Sequence, residues 1–293
     1  MTLAEAYRNA CGILAESGVP DAEWDAHLLL EHATGVSRAQ FFAAQDRMLP
    51  EKTAEEFLEL VRRRAERIPL QHLTGAQEFC GIPFLVTDAV LCPRQETELL
   101  VELALGKIRE VKERTDKAGR TEESISVLDL CTGSGCILVS LLAACPELTG
   151  TGSDLSADAL EVAKKNAERA GVSKRCGFVR SDLFEKTVGP FDLIVTNPPY
   201  IRSGDIPGLM AEVRDHEPRM ALDGGADGLD FYRRITEGAA RHLKEGGWLL
   251  AEIGFDQGEA VRSMFVEHQY KETQIRKDLS GLDRVVLGRL GSV

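Results

Sequence analysis

Residues 125–145 read ISVLDLCTGSGCILVSLLAAC: an apolar run, a short turn with two glycines, and a second apolar run long enough for a helix. A buried strand that leads through a tight turn into a helix is the repeating unit of parallel α/β sheets. The pattern recurs downstream, and the remaining strand candidates are LTGTGSD (148–154), CGFVRSD (176–182), FDLIVTN (191–197), GGWLLAEIG (246–254), YKETQIRKD (270–278) and DRVVLGRL (283–290). We therefore predict an α/β fold with a doubly wound, mainly parallel, seven-stranded sheet.

The beginning of the chain has a different pattern, in which apolar residues recur at helical spacing. Thr2 with Glu5, and Thr53 with Glu56, fit the capping box that starts a helix. We predict a bundle of four or five helices at 1–74.

Between these two regions, a β-like stretch with Gly81-Ile82-Pro83 at its turn predicts a β-hairpin linker at 75–93. The second domain is then expected at 94–293. It begins with a helix from Glu96 to about Glu113, which a polar loop at 112–124 follows.

Composition limits the classes of function. The chain has 293 residues and a net charge of −12, which argues against a protein that mainly grips a phosphate backbone, so no stable nucleic-acid binding is expected. The arginines at 62–64 and Arg67 are either a local basic patch or a solvated helix face paired with Glu59 and Glu66. No apolar run approaches the ~20 residues that cross a bilayer, and MTLAEAYRNA is unlike a secretion signal, which predicts a cytoplasmic protein without membrane attachment.

The cysteines and histidines do not form a metal-binding pattern. Seven cysteines are scattered without a CxxC pair, which favours reduced thiols and no structural zinc. We predict no metal site.

The carboxyl ends of the first three strands carry groups that suit a nucleoside. Gly133 and Gly135 leave room for a ligand near the backbone, and Leu138 breaks the G-x-G-x-x-G pattern of a pyrophosphate cradle. Asp154 can accept hydrogen bonds from ribose hydroxyls, while Asp182 and Leu183 offer an acid and an apolar side chain for adenine. Either acid alone is as readily explained as a helix cap. Together these groups favour S-adenosylmethionine, with S-adenosylhomocysteine as the product.

The fourth strand ends in TNPPY, residues 196–200. This layout resembles the class I S-adenosylmethionine-dependent methyltransferases, and TNPPY resembles their motif for methylating a planar, amide-like nitrogen. The Asn197 side-chain oxygen and the Pro198 carbonyl can each accept one N–H bond. Pro199 stiffens the loop, and Tyr200 can pack on the flat substrate group. We interpret the loop as a rigid clamp for an –NH2 group.

Longer stretches resemble the release-factor glutamine methyltransferases, the HemK/PrmC family. These stretches are IPLQHLTGAQEF, LCPRQETELL, DLCTGSGCI, SDLF, NPPYI, EPRMALDGGADGLDFYRRI, AEIGFDQG and DLSGLDRVVLGR. The resemblance implies methylation of the glutamine amide in the Gly-Gly-Gln tripeptide of class I peptide chain release factors, with the helical domain docking this partner. We expect a monomer.

Carried over by position, the resemblance implies two sets of site residues. The expected cofactor contacts are Cys131, Thr132, Gly133, Ser134, Gly135, Asp154, Asp182, Leu183 and Asn197. The expected substrate contacts are Asn197, Pro198, Pro199 and Tyr200, of which Asn197, Pro198 and Tyr200 are the predicted catalytic residues.

The chain departs from the family pattern at Cys131, where glycine is usual, at Leu183, where some members have tryptophan, and at Gln95 and His72. Glu252 is expected either to shape the far wall of the pocket or to be structural. Two alternatives stay open: a nucleic-acid amine methyltransferase, and a non-catalytic module that keeps the cofactor fold.

Overall fold

A computed structural model describes residues 1–117 and 124–291. In chain order its helices are α1 (Leu3–Glu16), α2 (Ala22–Thr34), α3 (Arg38–Ala43), α4 (Glu51–Ala65), α5 (Leu70–Thr74), α6 (Glu98–Lys117), α7 (Cys136–Ala144), α8 (Ala157–Arg169), α9 (Ala211–His216), α10 (Asp230–His242) and α11 (Gly258–Glu267). Its strands are β1 (Ala76–Phe79), β2 (Ile82–Leu85), β3 (Ile125–Leu130), β4 (Leu148–Asp154), β5 (Cys176–Arg180), β6 (Phe191–Thr196), β7 (Leu243–Glu252), β8 (Tyr270–Lys277) and β9 (Asp283–Leu290). None of the helices in the described ranges is long and apolar enough to cross a membrane.

The chain divides into two compact units. The first comprises Met1–Ala76 together with Leu209–His216, and the second comprises Gln77–Gly208 and Glu217–Val293. The segment 209–216, which contains α9, therefore belongs to the helical unit although it lies far along the sequence.

The helical unit buries the apolar faces of its helices around residues such as Leu3, Phe57 and Val61, each of which is fully buried. The predicted capping box at α1 is confirmed: the Glu5 amide donates to Thr2 Oγ1 at 3.2 Å, and the Thr2 amide donates to Glu5 Oε2 at 2.8 Å. The capping box predicted at Thr53 is wrong, because α4 already begins at Glu51.

Two arginines of α4, Arg62 and Arg64, pair with acids of this unit. Arg62 forms the predicted pairs with Glu59 and Glu66. Arg64 is only 6% exposed, so the interpretation of this face as solvated fails at Arg64.

The β-hairpin is present, but its turn lies earlier than predicted. Cys80 and Gly81 connect β1 to β2 with φ angles of 51° and 72°. Two consecutive positive φ angles are typical of the two-residue turns that match strand twist. Ile82 and Pro83 therefore belong to β2.

The helix after the hairpin also differs from its prediction. A 3₁₀ turn at Gln95–Thr97 precedes α6, which extends to Lys117. The first residues of the predicted polar loop are thus helical, and the part of that loop at 118–123 lies outside the described residues.

The seven-stranded sheet has the order β5-β4-β3-β6-β7-β9-β8. The strands from β3 to β7 pair in parallel, and β9 pairs antiparallel with both β7 and β8. The central strands β3 and β6 are buried along almost their whole length, which is why they appear in the sequence as continuous apolar runs. The predicted fold is confirmed, and the carboxyl ends of β3 to β7 meet at one edge of the sheet.

Candidate active site

The loop after β3 is closed by backbone hydrogen bonds. The Thr132 amide donates to the Ser153 carbonyl at 3.0 Å, and the Gly135 amide donates to the Thr132 carbonyl at 2.8 Å. Cys131 has a φ angle of 57°, a left-handed conformation that glycine adopts more readily. The loop therefore keeps a glycine-like path at the position where this chain has cysteine.

The two glycines of the loop serve different purposes. A side chain at Gly133 would meet no atom closer than the Cys131 carbonyl oxygen at 4.0 Å, so this position stays open to a ligand. A side chain at Gly135 would lie 3.1 Å from the Ala163 Cβ atom. Gly135 thus allows α7 and α8 to pack closely, and the space beside it that we expected to admit a ligand is filled by α8.

Asp154, at the end of β4, holds this loop in place. Its Oδ2 atom accepts from the Gly133 amide and its Oδ1 atom from the Ser156 amide, both at 2.9 Å. Burial raises the pKa of the Asp154 carboxyl, although these hydrogen bonds oppose the shift. A carboxylate has about four acceptor positions, so lone pairs remain for ligand hydroxyls.

The end of β5 presents Asp182 and Leu183. Asp182 Oδ1 accepts from Arg234 Nη2 at 2.7 Å, an ion pair that the sequence analysis missed. Leu183 is 6% exposed with a φ angle of 47°, and its carbonyl accepts from Ser153 Oγ at 3.1 Å. The acid and the apolar side chain therefore lie at the same edge, as predicted, but the acid already has a cationic partner.

The Asn197 side chain is oriented by a buried hydroxyl. Its Nδ2 atom donates to Thr97 Oγ1 at 3.3 Å, and Thr97 is 2% exposed. In this orientation the NH2 end of the carboxamide faces Thr97, whose hydroxyl oxygen accepts its hydrogen bond. The Asn197 oxygen Oδ1 is thereby left as an acceptor for a ligand.

The backbone of the clamp loop is supported by the glycine-rich stretch at 221–229. Gln257 Nε2 donates to the Tyr200 carbonyl at 2.9 Å, and the Gly224 amide donates to the Ile201 carbonyl at 2.8 Å. A side chain at Gly224 would lie 2.8 Å from the Pro199 carbonyl oxygen, and one at Gly228 would collide with Tyr200. The glycines therefore let this stretch pack directly against the loop.

The tyrosines of the site are packed into the core. Tyr200 is partly buried in a cluster with the fully buried Tyr232, whose hydroxyl donates to the Glu252 carbonyl at 2.8 Å. Burial raises the pKa of the Tyr200 phenol, which therefore stays protonated at neutral pH.

Comparison with known proteins identifies the family. Residues 5–75 match the profile of the PrmC N-terminal domain, and residues 116–212 match that of the methyltransferase small domain. A release factor glutamine methyltransferase from Geobacter sulfurreducens is 43% identical over 281 residues, which cover 96% of this chain and 94% of that protein. One from Moorella thermoacetica is 41% identical and covers 98% of both chains. The chain belongs to the release factor glutamine methyltransferase family. It is an S-adenosylmethionine-dependent methyltransferase, as the resemblance implied.

A solved structure supports the fold. The catalytic domain of hMettl16 matches with a TM-score of 0.53 at 13% identity, covering 92% of this chain and 91% of that one. At this identity the match indicates a shared fold only.

A cavity of about 370 Å³ at the carboxyl edge of the sheet is the methyltransferase's candidate cofactor site. Its size lies within the range of roughly 300–1,000 Å³ that is typical of small-molecule sites. Of the predicted site residues, the cavity is lined by Cys131, Thr132, Gly133, Ser134, Asp154, Asp182, Leu183, Asn197 and Pro199. Gly135, Pro198 and Tyr200 are set back from it.

The chemistry of the cavity wall fits S-adenosylmethionine. Asp154 offers a carboxylate for ribose hydroxyls, and Val90 and Ile137 supply apolar surface for a base. Arg94 adds a cation that can pair with a ligand carboxylate. Its guanidinium is held in place by Glu217, because Arg94 Nη2 donates to Glu217 Oε1 at 2.7 Å and the Glu217 side chain is only 1% exposed. Within the described residues, no three His, Cys, Asp or Glu side chains are grouped to hold a metal.

Proposed function

We propose that this methyltransferase transfers a methyl group from S-adenosylmethionine to the side-chain amide nitrogen of the glutamine in the Gly-Gly-Gln tripeptide of class I peptide chain release factors. The observation that carries this proposal is the oriented Asn197 carboxamide, whose Nδ2 atom is held by Thr97 on the wall of the cavity that also contains Asp154. The curated relatives are named for release factor glutamine, which supports the substrate.

The chemistry requires positioning, because an amide lone pair is delocalised and reacts poorly. Asn197 Oδ1 and the Pro198 carbonyl accept the two N–H bonds of the substrate amide and direct its nitrogen toward the methyl donor. S-adenosylmethionine supplies an electrophilic methyl group on its sulfonium. Because the loop backbone is held by Gln257 and by the glycine-rich stretch, the two acceptors are fixed before the substrate arrives.

The cofactor contacts divide among the strand ends. Asp154 accepts the ribose hydroxyls, and the open backbone at Gly133 lets the cofactor approach the loop. Asp182 and Leu183 receive the adenine amine and ring. Because Arg234 already occupies Asp182 Oδ1, the adenine amine uses the remaining lone pairs of that carboxylate.

The helical unit, in this proposal, docks the release factor. It exposes large apolar side chains that a docking surface would use, including Trp24 (51% exposed) and Phe42 (62% exposed). Replacing each by alanine is expected to raise KM for the folded release factor several-fold and to leave turnover of a short Gly-Gly-Gln peptide unchanged. Equal KM values for wild type and both variants would remove the docking role.

We further propose that the enzyme acts as a monomer in the cytoplasm, where release factors function, without stable nucleic-acid or membrane binding. Light scattering at micromolar concentration, with and without release factor, tests the oligomeric state.

The deciding experiment offers the enzyme four potential acceptors together with labelled cofactor: a release factor, the same factor with its tripeptide glutamine changed to alanine, DNA, and RNA. We expect label only in the unaltered release factor, and mass spectrometry should place the methyl group on the glutamine side chain. Label in nucleic acid, or in the alanine variant, would contradict the proposal.

A further inference from the structure

Glu252 is a buried carboxylate behind the clamp that the mechanism above does not use. It ends β7, directly after Ala251, which pairs with Thr196 at the end of β6. Glu252 is 1% exposed and is set back from the cavity wall. Its Oε2 atom has no hydrogen-bond partner among the described residues, an unusual state for a buried carboxylate oxygen.

Thr97 and Asn197 lie close enough to this carboxylate for hydrogen bonding from their side chains to lower its pKa. The Thr97 hydroxyl accepts from Asn197 Nδ2 at 3.3 Å, which leaves its own proton free to point toward Glu252. Donation can thus run from Asn197 through Thr97 to Glu252. An ionised carboxylate can only accept, so it favours an arrangement in which both groups direct their protons toward it.

We propose that Glu252 is a positioning residue which, through Thr97, keeps the Asn197 carboxamide turned with its NH2 group inward and its Oδ1 atom available to the substrate amide. The inference rests on the proposed function of the clamp. It adds an orienting network, composed of Glu252 and Thr97, to the clamp residues at 197–200.

The charge state of Glu252 makes this network sensitive to pH. Burial raises the pKa of the Glu252 carboxyl to about 7, against the opposing effects of the Thr97 and Asn197 hydrogen bonds and of Arg284. Protonated Glu252 has an O–H that can donate to Asn197 Oδ1, which would allow the carboxamide to turn over. Activity should therefore fall as the pH drops through about 7. The charged and titratable groups that face Glu252 are Arg284, Glu96, Tyr200, Tyr232 and Cys136.

The test compares Thr97→Val, Thr97→Ser and Glu252→Gln with wild type in full-length enzyme, using release factor and S-adenosylmethionine between about pH 6 and pH 8. Thr97→Val and Glu252→Gln are expected to lower kcat by about 10- to 100-fold, because both release the carboxamide. Glu252→Gln should also keep the wild-type cofactor affinity, because Glu252 is set back from the cavity wall that Thr97 lines. Thr97→Ser keeps the hydroxyl and should recover kcat to within about threefold of wild type.

The pH profile of kcat distinguishes an orienting role of Glu252 and Thr97 from a role in packing alone. Wild type and Thr97→Ser should show an ionisation near pH 7 in kcat, and Glu252→Gln should lack it. Thr236→Val is the matched control, because Thr236 is also a buried threonine with a hydrogen-bonded hydroxyl. Thr236 is 1% exposed, and its hydroxyl donates to the Tyr232 carbonyl at 2.9 Å. This control is expected to lower the melting temperature and to keep the wild-type pH profile.

Two results would overturn the inference: a wild-type kcat in both Thr97→Val and Glu252→Gln, or an ionisation near pH 7 that persists in Glu252→Gln. If Thr97→Val fails to fold, the Glu252→Gln profile decides alone. An inactive wild-type enzyme would instead contradict the proposed function, so the two failures are distinguishable.

Discussion

Asp154 combines two tasks at the level of a single residue. Its carboxylate holds the amides of Gly133 and Ser156, and its remaining lone pairs face a cavity of cofactor size. Asp154→Asn keeps the shape of the side chain but replaces one acceptor oxygen by a donor. We expect S-adenosylmethionine to bind at least ~10-fold more weakly, because a hydrogen bond to a charged group contributes about 1.5–3 kcal/mol.

Asp158→Asn is the matched control for calorimetry, since Asp158 is exposed and only a few residues away in α8. Its cofactor affinity should equal that of wild type. Wild-type affinity in Asp154→Asn would remove the ribose role of Asp154.

Single residues differ in how far the sequence predicts them. Asp154 and Asp182 were predicted because an acid at a strand end has a recognisable position in the pattern. Glu252 also ends a strand, but the sequence left it as either a wall of the pocket or a structural residue, and Thr97 had no such signal. Their relation to Asn197 depends on a 3₁₀ turn and a distant strand coming together. The Arg234 partner of Asp182 likewise comes from α10, far along the chain.

At the scale of elements, the clamp loop depends on the glycine-rich stretch beneath it. Gly228 has a φ angle of 76°, and a side chain there would meet Gln257 Nε2 at 2.6 Å as well as Tyr200. We expect Gly228→Ala to destabilise the protein by a few kcal/mol, roughly the cost of strain plus overpacking, and to lower kcat by displacing the loop.

Gly204→Ala provides the comparison, because a side chain at Gly204 would meet no atom within 4 Å. Chemical denaturation and steady-state kinetics should show Gly204→Ala close to wild type in both respects. Equal stability and kcat in Gly228→Ala would show that the stretch does not support the clamp.

Elements were predicted well where the pattern is local. The strands β4 and β9 agree with their predictions at both ends. The hairpin turn and the end of α6 were misplaced. A polar helix end has the same composition as a loop, and the choice of Cys80-Gly81 for the turn depends on strand pairing rather than on composition.

At the scale of the whole molecule, a buried ion network holds α9 in the helical unit. Glu212 accepts from Arg64 Nη2 at 2.9 Å and from Arg67 Nη2 at 2.6 Å, and Arg64 also donates to Asp25 Oδ2 at 2.7 Å. Burial would raise the pKa of the Glu212 carboxyl, but hydrogen bonds from Arg67 and Arg64 outweigh it and lower the pKa to about 2.

Glu212→Gln should therefore destabilise the helical unit by about 3 kcal/mol at neutral pH, since it leaves buried arginine charge without its partner. An acid with a lowered pKa stabilises the fold above its unfolded pKa, and this contribution is lost as the pH falls from about 4.5 toward 2. Hydrogen exchange of the α2 and α4 amides at neutral and acidic pH measures the effect.

For this comparison, Glu55→Gln changes an exposed acid of α4 and should leave exchange rates unaltered. Wild-type hydrogen-exchange protection in the Glu212→Gln variant at neutral pH would show that the ion network does not stabilise the helical unit.

The membership of 209–216 in the helical unit could not be predicted from the sequence, because no local pattern in this short helix indicates its partner.

The central claim is that two fixed oxygen acceptors at the end of β6 present a glutamine amide for methylation. Its most direct test is a single-turnover time course of methyl transfer to a release factor at saturating S-adenosylmethionine, comparing wild type with Asn197→Ala. Asn9→Ala, an exposed asparagine in α1, serves as control. We predict a loss of about 10²–10³ in rate for Asn197→Ala, with cofactor affinity within several-fold of wild type and the methyl group of the wild-type product on the tripeptide glutamine. A wild-type rate in Asn197→Ala, or a methyl group on any other residue, would contradict the account.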